Sequence, residues 1–122
     1  MRRHADELYE AIRADNDDLQ AIALNTGLKR ANVVKVKEHL FHRTHWRDLY
    51  VELGVPGEWG RFDSDHRIAD AWNRLLSSRY QPGDIQLLRH ETAEAWFMRK
   101  HGPSYRLAHQ AATRRFPWHP NS

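Results

Sequence analysis

Between Asp65 and Ser78 the apolar residues Ile68, Ala69, Trp72, Leu75 and Leu76 recur at three- and four-residue intervals. That period gathers them on one side of an α-helix and scatters them on a strand. Asp63 or Ser64 is placed to cap this helix. The same period runs through most of the chain. Leu8, Ala11 and Ile12 predict a short helix over about Ala5–Arg13, and Leu19, Ala21, Ile22 and Ala23 predict a second from Asp17, stopped at Asn25-Thr26-Gly27. A third, from Lys29 or Ala31 to Phe41, turns Val33, Val34, Val36, Leu40 and the aliphatic stem of Lys37 inward. Asp84 is read as the cap of a helix to Lys100 that carries Ile85, Leu87, Leu88, Ala95, Phe97 and Met98, and His101-Gly102-Pro103 stops it. Ser104 caps a last helix to Arg115, using Tyr105, Leu107, Ala108, Ala111 and Ala112, before Phe116-Pro117-Trp118-His119-Pro120.

Only His42–Gly60 breaks the pattern. Trp46, Leu49, Tyr50 and Leu53, then Gly54, Pro56, Gly57 and Gly60, read as a short helix or turn followed by a mobile loop. No repeat, low-complexity tract or long linker divides the 122 residues. The expectation is an all-α fold, a single compact orthogonal bundle of five to six helices formed by residues 1–122.

The absence of cysteine excludes a disulfide framework, a thiolate metal site and a cysteine nucleophile, and agrees with a cytoplasmic location. Neither a signal-peptide-like apolar run after the charged N-terminus nor about 18 consecutive apolar residues occurs, so no membrane association is expected. A formal charge of +3 with nine histidines and a pI near 9.5 lean toward an anionic partner, nucleic acid among them.

His90-Glu91-Thr92-Ala93-Glu94 is the sharpest local signal. Its i, i+4 spacing inside a helix sets His90 beside Glu94, as in the zinc-peptidase HExxH pattern with its second histidine replaced, and puts Glu91 in the place of the general base. His109 is the natural third ligand, because the Gly102-Pro103 turn folds the next helix back. Imidazole with carboxylate suits zinc, manganese or iron. Against this stands a purely structural reading, in which His90, Glu91 and Glu94 pair with Arg61, Arg67 or Arg89.

Two other stretches carry chemistry. Lys37-Glu38-His39-Leu40-Phe41-His42-Arg43-Thr44-His45 holds three histidines in seven residues, beside Arg61-Phe62-Asp63-Ser64-Asp65-His66. Here His39 acts as acid or base, Asp63 orients it, and Lys37 and Arg61 hold phosphate. The segment Asp18–Leu40 has the helix, glycine turn and helix of a DNA-reading helix-turn-helix, with Lys29, Arg30, Asn32, Lys35 and Lys37 facing the nucleic acid. Of the aromatic residues, Trp72, Trp96 and Phe97 read as core and Trp59 as exposed.

The order KEHLF, GRFDSDHRIADAWNRL, GDIQLLRHETAE and SYRLAHQAA resembles a small helical domain at the C-termini of phage minor-head and bacterial polymorphic-toxin-type proteins. The resemblance spans about Asp18–Phe116 and is carried by Lys37, His39, Phe41, Arg61, Phe62, Asp63, Asp65, Trp72, His90, Glu91, Glu94, Tyr105 and His109. It implies an exchangeable effector module, often a nuclease paired with an immunity-type protein.

Two classes of function follow. In one, a hydrolase and first of all a nuclease, His39, Asp63, His90 and Glu91 are catalytic, Lys37 and Arg61 bind phosphate, and His90, Glu94 and His109 ligate a divalent metal such as zinc or manganese. In the other, a helix-turn-helix-like DNA-binding or protein-interaction module, the His/Glu cluster only ties helices together. A metallopeptidase ranks third, since HExxE lacks the second histidine.

Overall fold

The computed structural model describes residues 2–118, so Met1 and the His119-Pro120 end lie outside the described residues. Six α-helices occur among them: α1 (Arg2–Ala14), α2 (Asp18–Thr26), α3 (Arg30–Lys37), α4 (His66–Leu76), α5 (Pro82–His101) and α6 (Tyr105–Arg115). The protein is thus all-α, as the periodicity predicts, with one small addition. Within the expected loop, β1 (His45–Arg47) pairs antiparallel with β2 (Glu58–Gly60), setting Trp46 opposite Trp59. A single 3₁₀ turn at Val51–Leu53 lies between them. Three-residue strands are too short to show a two-residue alternation, which is why the sequence reads as irregular there. Gly57 lets this ribbon close: a Cβ at that position would lie 2.7 Å from the Trp46 ring.

Local chemistry sets the helix ends. Gly27 takes φ 75° after α2, the left-handed stop expected from the sequence. The α4 cap is Asp65, whose side chain accepts from the Arg67 N–H, and not Asp63 or Ser64, because the helix begins one turn-position later than read. Asp84 does not cap α5 either. Pro82 occupies the first turn, Gln81 is the cap, and Asp84 closes the box by accepting from the Gln81 N–H while Arg74 grips both of its oxygens. Ser104 caps α6 as read, assisted by buried Asp48, which accepts from the Ser104 hydroxyl and the Arg106 N–H.

The core is built around Trp72, with Phe41 edge-on to it and Tyr9 edge-on to Phe41. Ile22, Val33, Val36, Leu75 and Leu88 complete it. Helix α1 packs on α4, α2 on α3 and α4, α3 on α5, and α5 on α6. Trp96 departs from the expected core and is 47% exposed. Leu107 is exposed as well.

A π-helical turn at Glu38–His42 follows α3. Its wider winding, with Arg43 N–H reaching back to the Glu38 carbonyl, leaves three consecutive residues buried, His39, Leu40 and Phe41. Phe41 goes to the core, and His39 turns toward α5.

No helix among the described residues is long and apolar enough to cross a membrane.

Candidate active site

Helix α5 buries more than apolar residues. Along with Leu87 and Leu88, its inner face carries His90, Glu91 and Glu94, whose spacing keeps all three carboxyl and imidazole groups on one side. The Gly102-Pro103 turn brings α6 back beside α5, and His109 arrives within reach of Glu94. From the other side the π-helical turn delivers His39.

Glu94 is the hub. Its Oε2 lies 2.9 Å from His90 Nε2 and 3.0 Å from His109 Nδ1, and its Oε1 lies 2.8 Å from His39 Nε2. Glu91 sits beside it with Oε2 3.3 Å from His39 Nε2, but this oxygen is not aligned for a hydrogen bond and has no such partner. Side chains of His39, His90, Glu91 and Glu94 are all more than nine-tenths buried, and only His109 is partly open, at 37%.

The proton arrangement is unusual. His90 Nδ1 lies 2.9 Å from the Phe116 carbonyl, which can only accept, so Nδ1 carries the proton. A neutral His90 therefore aims the Nε2 lone pair at a carboxylate oxygen, an arrangement that needs either a second proton or a cation between them. The electrostatics of the metal-free cluster supply protons. Burial alone would push the Glu94 carboxyl up, but bonds from His109, His39 and His90 hold it well below the carboxylate range. Burial likewise disfavours charge on His39, yet Glu91 and Glu94 hold its pKa up at about 9. His90 is raised by Glu94 against the same opposition from burial. Glu91, buried and facing the charge of Glu94, is raised.

A further histidine supports the cluster. His45 is buried on β1, and its Nε2–H donates to the His39 carbonyl at 2.7 Å. Burial and the neighbouring His39 lower its pKa to about 4, so it is neutral. Phe62 stacks on its ring with centroids 4.2 Å apart, and Tyr105 packs on Phe62. The sequence reading includes His45 in the histidine run without assigning it a role, because nothing local shows that it lies on a strand.

Other sequence-predicted residues lie elsewhere. Lys37 cannot clamp phosphate: its ammonium is buried, 2.7 Å from Asp18 and 2.8 Å from the Asp15 carbonyl. Asp63 is exposed and pairs with Arg47, while the carboxylates on His39 are Glu94 and Glu91. Arg61 is exposed, with its Nε donating to the His42 carbonyl. The arginine partners weighed for His90, Glu91 and Glu94 are replaced by histidines. The helix pair α2–α3 exists, but with Lys37 turned into the core it presents only part of the basic face that DNA reading requires.

Two clefts approach the cluster. One, of about 750 Å³, reaches His39 and is lined by Arg30, Lys35, Arg43 and Arg99 with Trp46 and Trp59. The other, of about 350 Å³, reaches Glu91 past Tyr9, Phe62 and Tyr105. An apolar groove beside Trp96 and Phe116 touches none of the clustered carboxylates.

Among the described residues two triads have the composition and proximity to hold a cation, His90–Glu94–His109 and His39–Glu91–Glu94. Metal–ligand bonds of about 2.1 Å put two ligand atoms about 3.0 Å apart at a right angle and about 3.4 Å apart at the tetrahedral angle. The observed 2.9 and 3.0 Å from Glu94 Oε2 to the two imidazoles match the right-angle case. The three ligand atoms lie within 4.8 Å of one another, and mixed imidazole and carboxylate donors suit Mn²⁺ or Zn²⁺. His90, with its far nitrogen fixed by a backbone carbonyl, already has the tautomer and orientation that metal-bound histidines take.

No protein-family model, curated protein or solved structure matches the chain.

Proposed function

We propose that this protein is a divalent-metal-dependent hydrolase of nucleic acid phosphodiesters, with His90, Glu94 and His109 as the metal ligands. The observation that carries the reading is the convergence of three imidazole nitrogens on one buried carboxylate, one of them with its tautomer fixed by the Phe116 carbonyl. A cluster built only for stability would bury this many ionisable groups at a high desolvation cost that apolar side chains avoid.

A cation held there supplies Lewis acidity to the phosphoryl oxygen and to water. In the reaction, a water oxygen bonds to phosphorus, the ester bond breaks, and one water proton ends on the departing oxygen. His109 is the partly exposed ligand, and the cleft assigned to substrate reaches the cluster from the other side of Glu94, at His39. His39 and Glu91 form the polar wall on the side of Glu94 Oε1, and His45 with Phe62 fixes the His39 backbone.

Substrate class follows from the cleft that ends at His39. Arg30, Lys35 and Arg99, with Arg43 paired to the lining Glu38 at 3.3 Å, would track a phosphate backbone there, and Trp46 and Trp59 offer ring faces for unstacked bases. An effector role of the kind carried by the modules the sequence resembles fits a small nuclease, and an immunity-type protein would then be its partner.

The test is cleavage of end-labelled single-stranded DNA and RNA with Mn²⁺ or Zn²⁺ supplied, then after chelation. Cleavage that needs the metal and falls by about 100-fold or more in His109→Ala supports the proposal. Equal cleavage in chelator, or none with any divalent metal, overturns it.

A further inference from the structure

Glu94 uses its two oxygens in opposite directions. Oε2 faces His90 and His109, and Oε1 faces His39, beside which Glu91 stands. The two candidate triads therefore share one residue, and share it through different atoms. That is the arrangement of a bridging carboxylate.

The second triad has its own mark of a missing ligand. Glu91 Oε2 is buried, 3.3 Å from His39 Nε2 and near Glu94, with no hydrogen-bond partner. Leaving a buried carboxylate oxygen unpaired is expensive, and natural structures do so where a water, an ion or a reacting group completes the set. His39 Nε2 is aligned on Glu94 Oε1 at 2.8 Å and leaves Glu91 Oε2 to one side. A cation placed among His39 Nε2, Glu91 Oε2 and Glu94 Oε1 would meet all three atoms at once.

We infer that the cluster is a two-cation centre, in which Glu94 bridges a first divalent ion on His90 and His109 to a second on His39 and Glu91. The inference rests on the proposed metal-dependent reading and extends it to a second ion with its own ligands. Carboxylate-bridged ions lie about 3.5–4 Å apart, the separation that lets one ion act on the attacking oxygen and the other on the departing oxygen of a phosphodiester. Composition supports the pairing: two buried carboxylates and three imidazoles make up the two triads. Access agrees too, since the 750 Å³ cleft reaches His39 and the 350 Å³ cleft reaches Glu91, the two members of the second triad other than the bridging Glu94.

The experiment is Mn²⁺ titration of the whole chain, read by calorimetry, by elemental analysis after desalting, and by electron paramagnetic resonance of the loaded protein. The expected result is two equivalents per chain with an exchange-coupled Mn²⁺ pair. Glu91→Gln and His39→Gln, with folding verified by circular dichroism, should each reduce binding to one equivalent with an uncoupled signal. One uncoupled equivalent in the wild type, lost in His109→Ala and kept in Glu91→Gln, overturns the second site while leaving the metal-dependent reading intact. No bound Mn²⁺ in the wild type overturns both. The wild-type stoichiometry and resonance need no variant, so an unstable substitution does not remove the test.

Discussion

The ammonium of Lys37 lies 2.7 Å from Asp18 Oδ2 inside the protein, where the Trp72 indole N–H also donates to Asp18. This pair joins the start of α2, the end of α3 and the middle of α4. Its position turns a residue that the sequence offers as a phosphate clamp into a structural tie.

Breaking the tie is costly. Lys37→Ala strands a buried carboxylate and should destabilise the fold by about 3–5 kcal/mol. Lys37→Met with Asp18→Leu, which removes both charges, should recover part of that loss. Urea unfolding measures both, and cleavage per folded molecule should stay at the wild-type level in the double variant. A loss of activity without loss of stability would restore Lys37 to the substrate site.

Acid stability depends on another carboxylate. The Asp84 carboxyl, for which burial is opposed by the Arg74 guanidinium and the Gln81 N–H, sits below its usual 3.8. With the folded pKa depressed, its stabilisation is present above the unfolded value and is lost as pH falls through the folded one. Asp84→Asn should therefore cost about 1–2 kcal/mol at pH 7. The gap from wild type should shrink when unfolding is repeated near pH 3. A gap that is constant with pH would mean that Asn keeps the cap and loses only shape.

On the proposed function, nucleic acid would bind in the cleft of Arg30, Lys35, Arg43 and Arg99. Each phosphate contact steepens the salt dependence, by about 0.7 per contact on a single strand. Replacing Arg30 and Lys35 together by alanine should lower the slope of log affinity against log salt by about 1.4. Trp59→Ala, at a ring that is 62% exposed, should weaken single-strand binding by about 1–3 kcal/mol with little change in slope. Fluorescence anisotropy at several salt concentrations separates the two effects. Unchanged slope and affinity in both variants would place the nucleic acid elsewhere.

On the proposed metal-dependent reading, protons and metal compete at the cluster. His39 is held at about 9 in the metal-free protein, so binding a cation there at pH 7 must expel a proton. As a group with a raised folded pKa, His39 adds stability that is complete below about 6.5 and lost as pH rises through about 9. Metal affinity should rise over the interval in which that stability declines. Calorimetry at pH 6.5 and 8.5 in buffers of different ionisation enthalpy counts the released protons, and no release would place the ion away from His39.

The helical plan was legible because Trp72, Leu75 and Leu76 on α4, and Leu87 and Leu88 on α5, bury by simple period. His90, Glu94 and His109 were legible together for a related reason: i, i+4 spacing and one tight Gly102-Pro103 turn fix their approach almost entirely from local geometry. His39 was named, but its partner was not. Asp63 is near it in motif order, whereas Glu94 reaches it through a π-helical turn that depends on tertiary packing and leaves no sequence period. His45 was missed as a supporting residue because three-residue strands carry too little pattern to show which face is buried. Lys37 was misplaced because its long stem looks the same in sequence whether its ammonium reaches solvent or turns to Asp18.

The most direct test of the proposed metal centre is calorimetric titration of Mn²⁺ and Zn²⁺ into the wild type and His109→Ala, with circular dichroism to verify folding. Saturable binding by the wild type that weakens by about 100-fold or more in folded His109→Ala is the predicted result. Folded His109→Ala that binds as the wild type does, or a wild type that binds neither ion, would contradict the account.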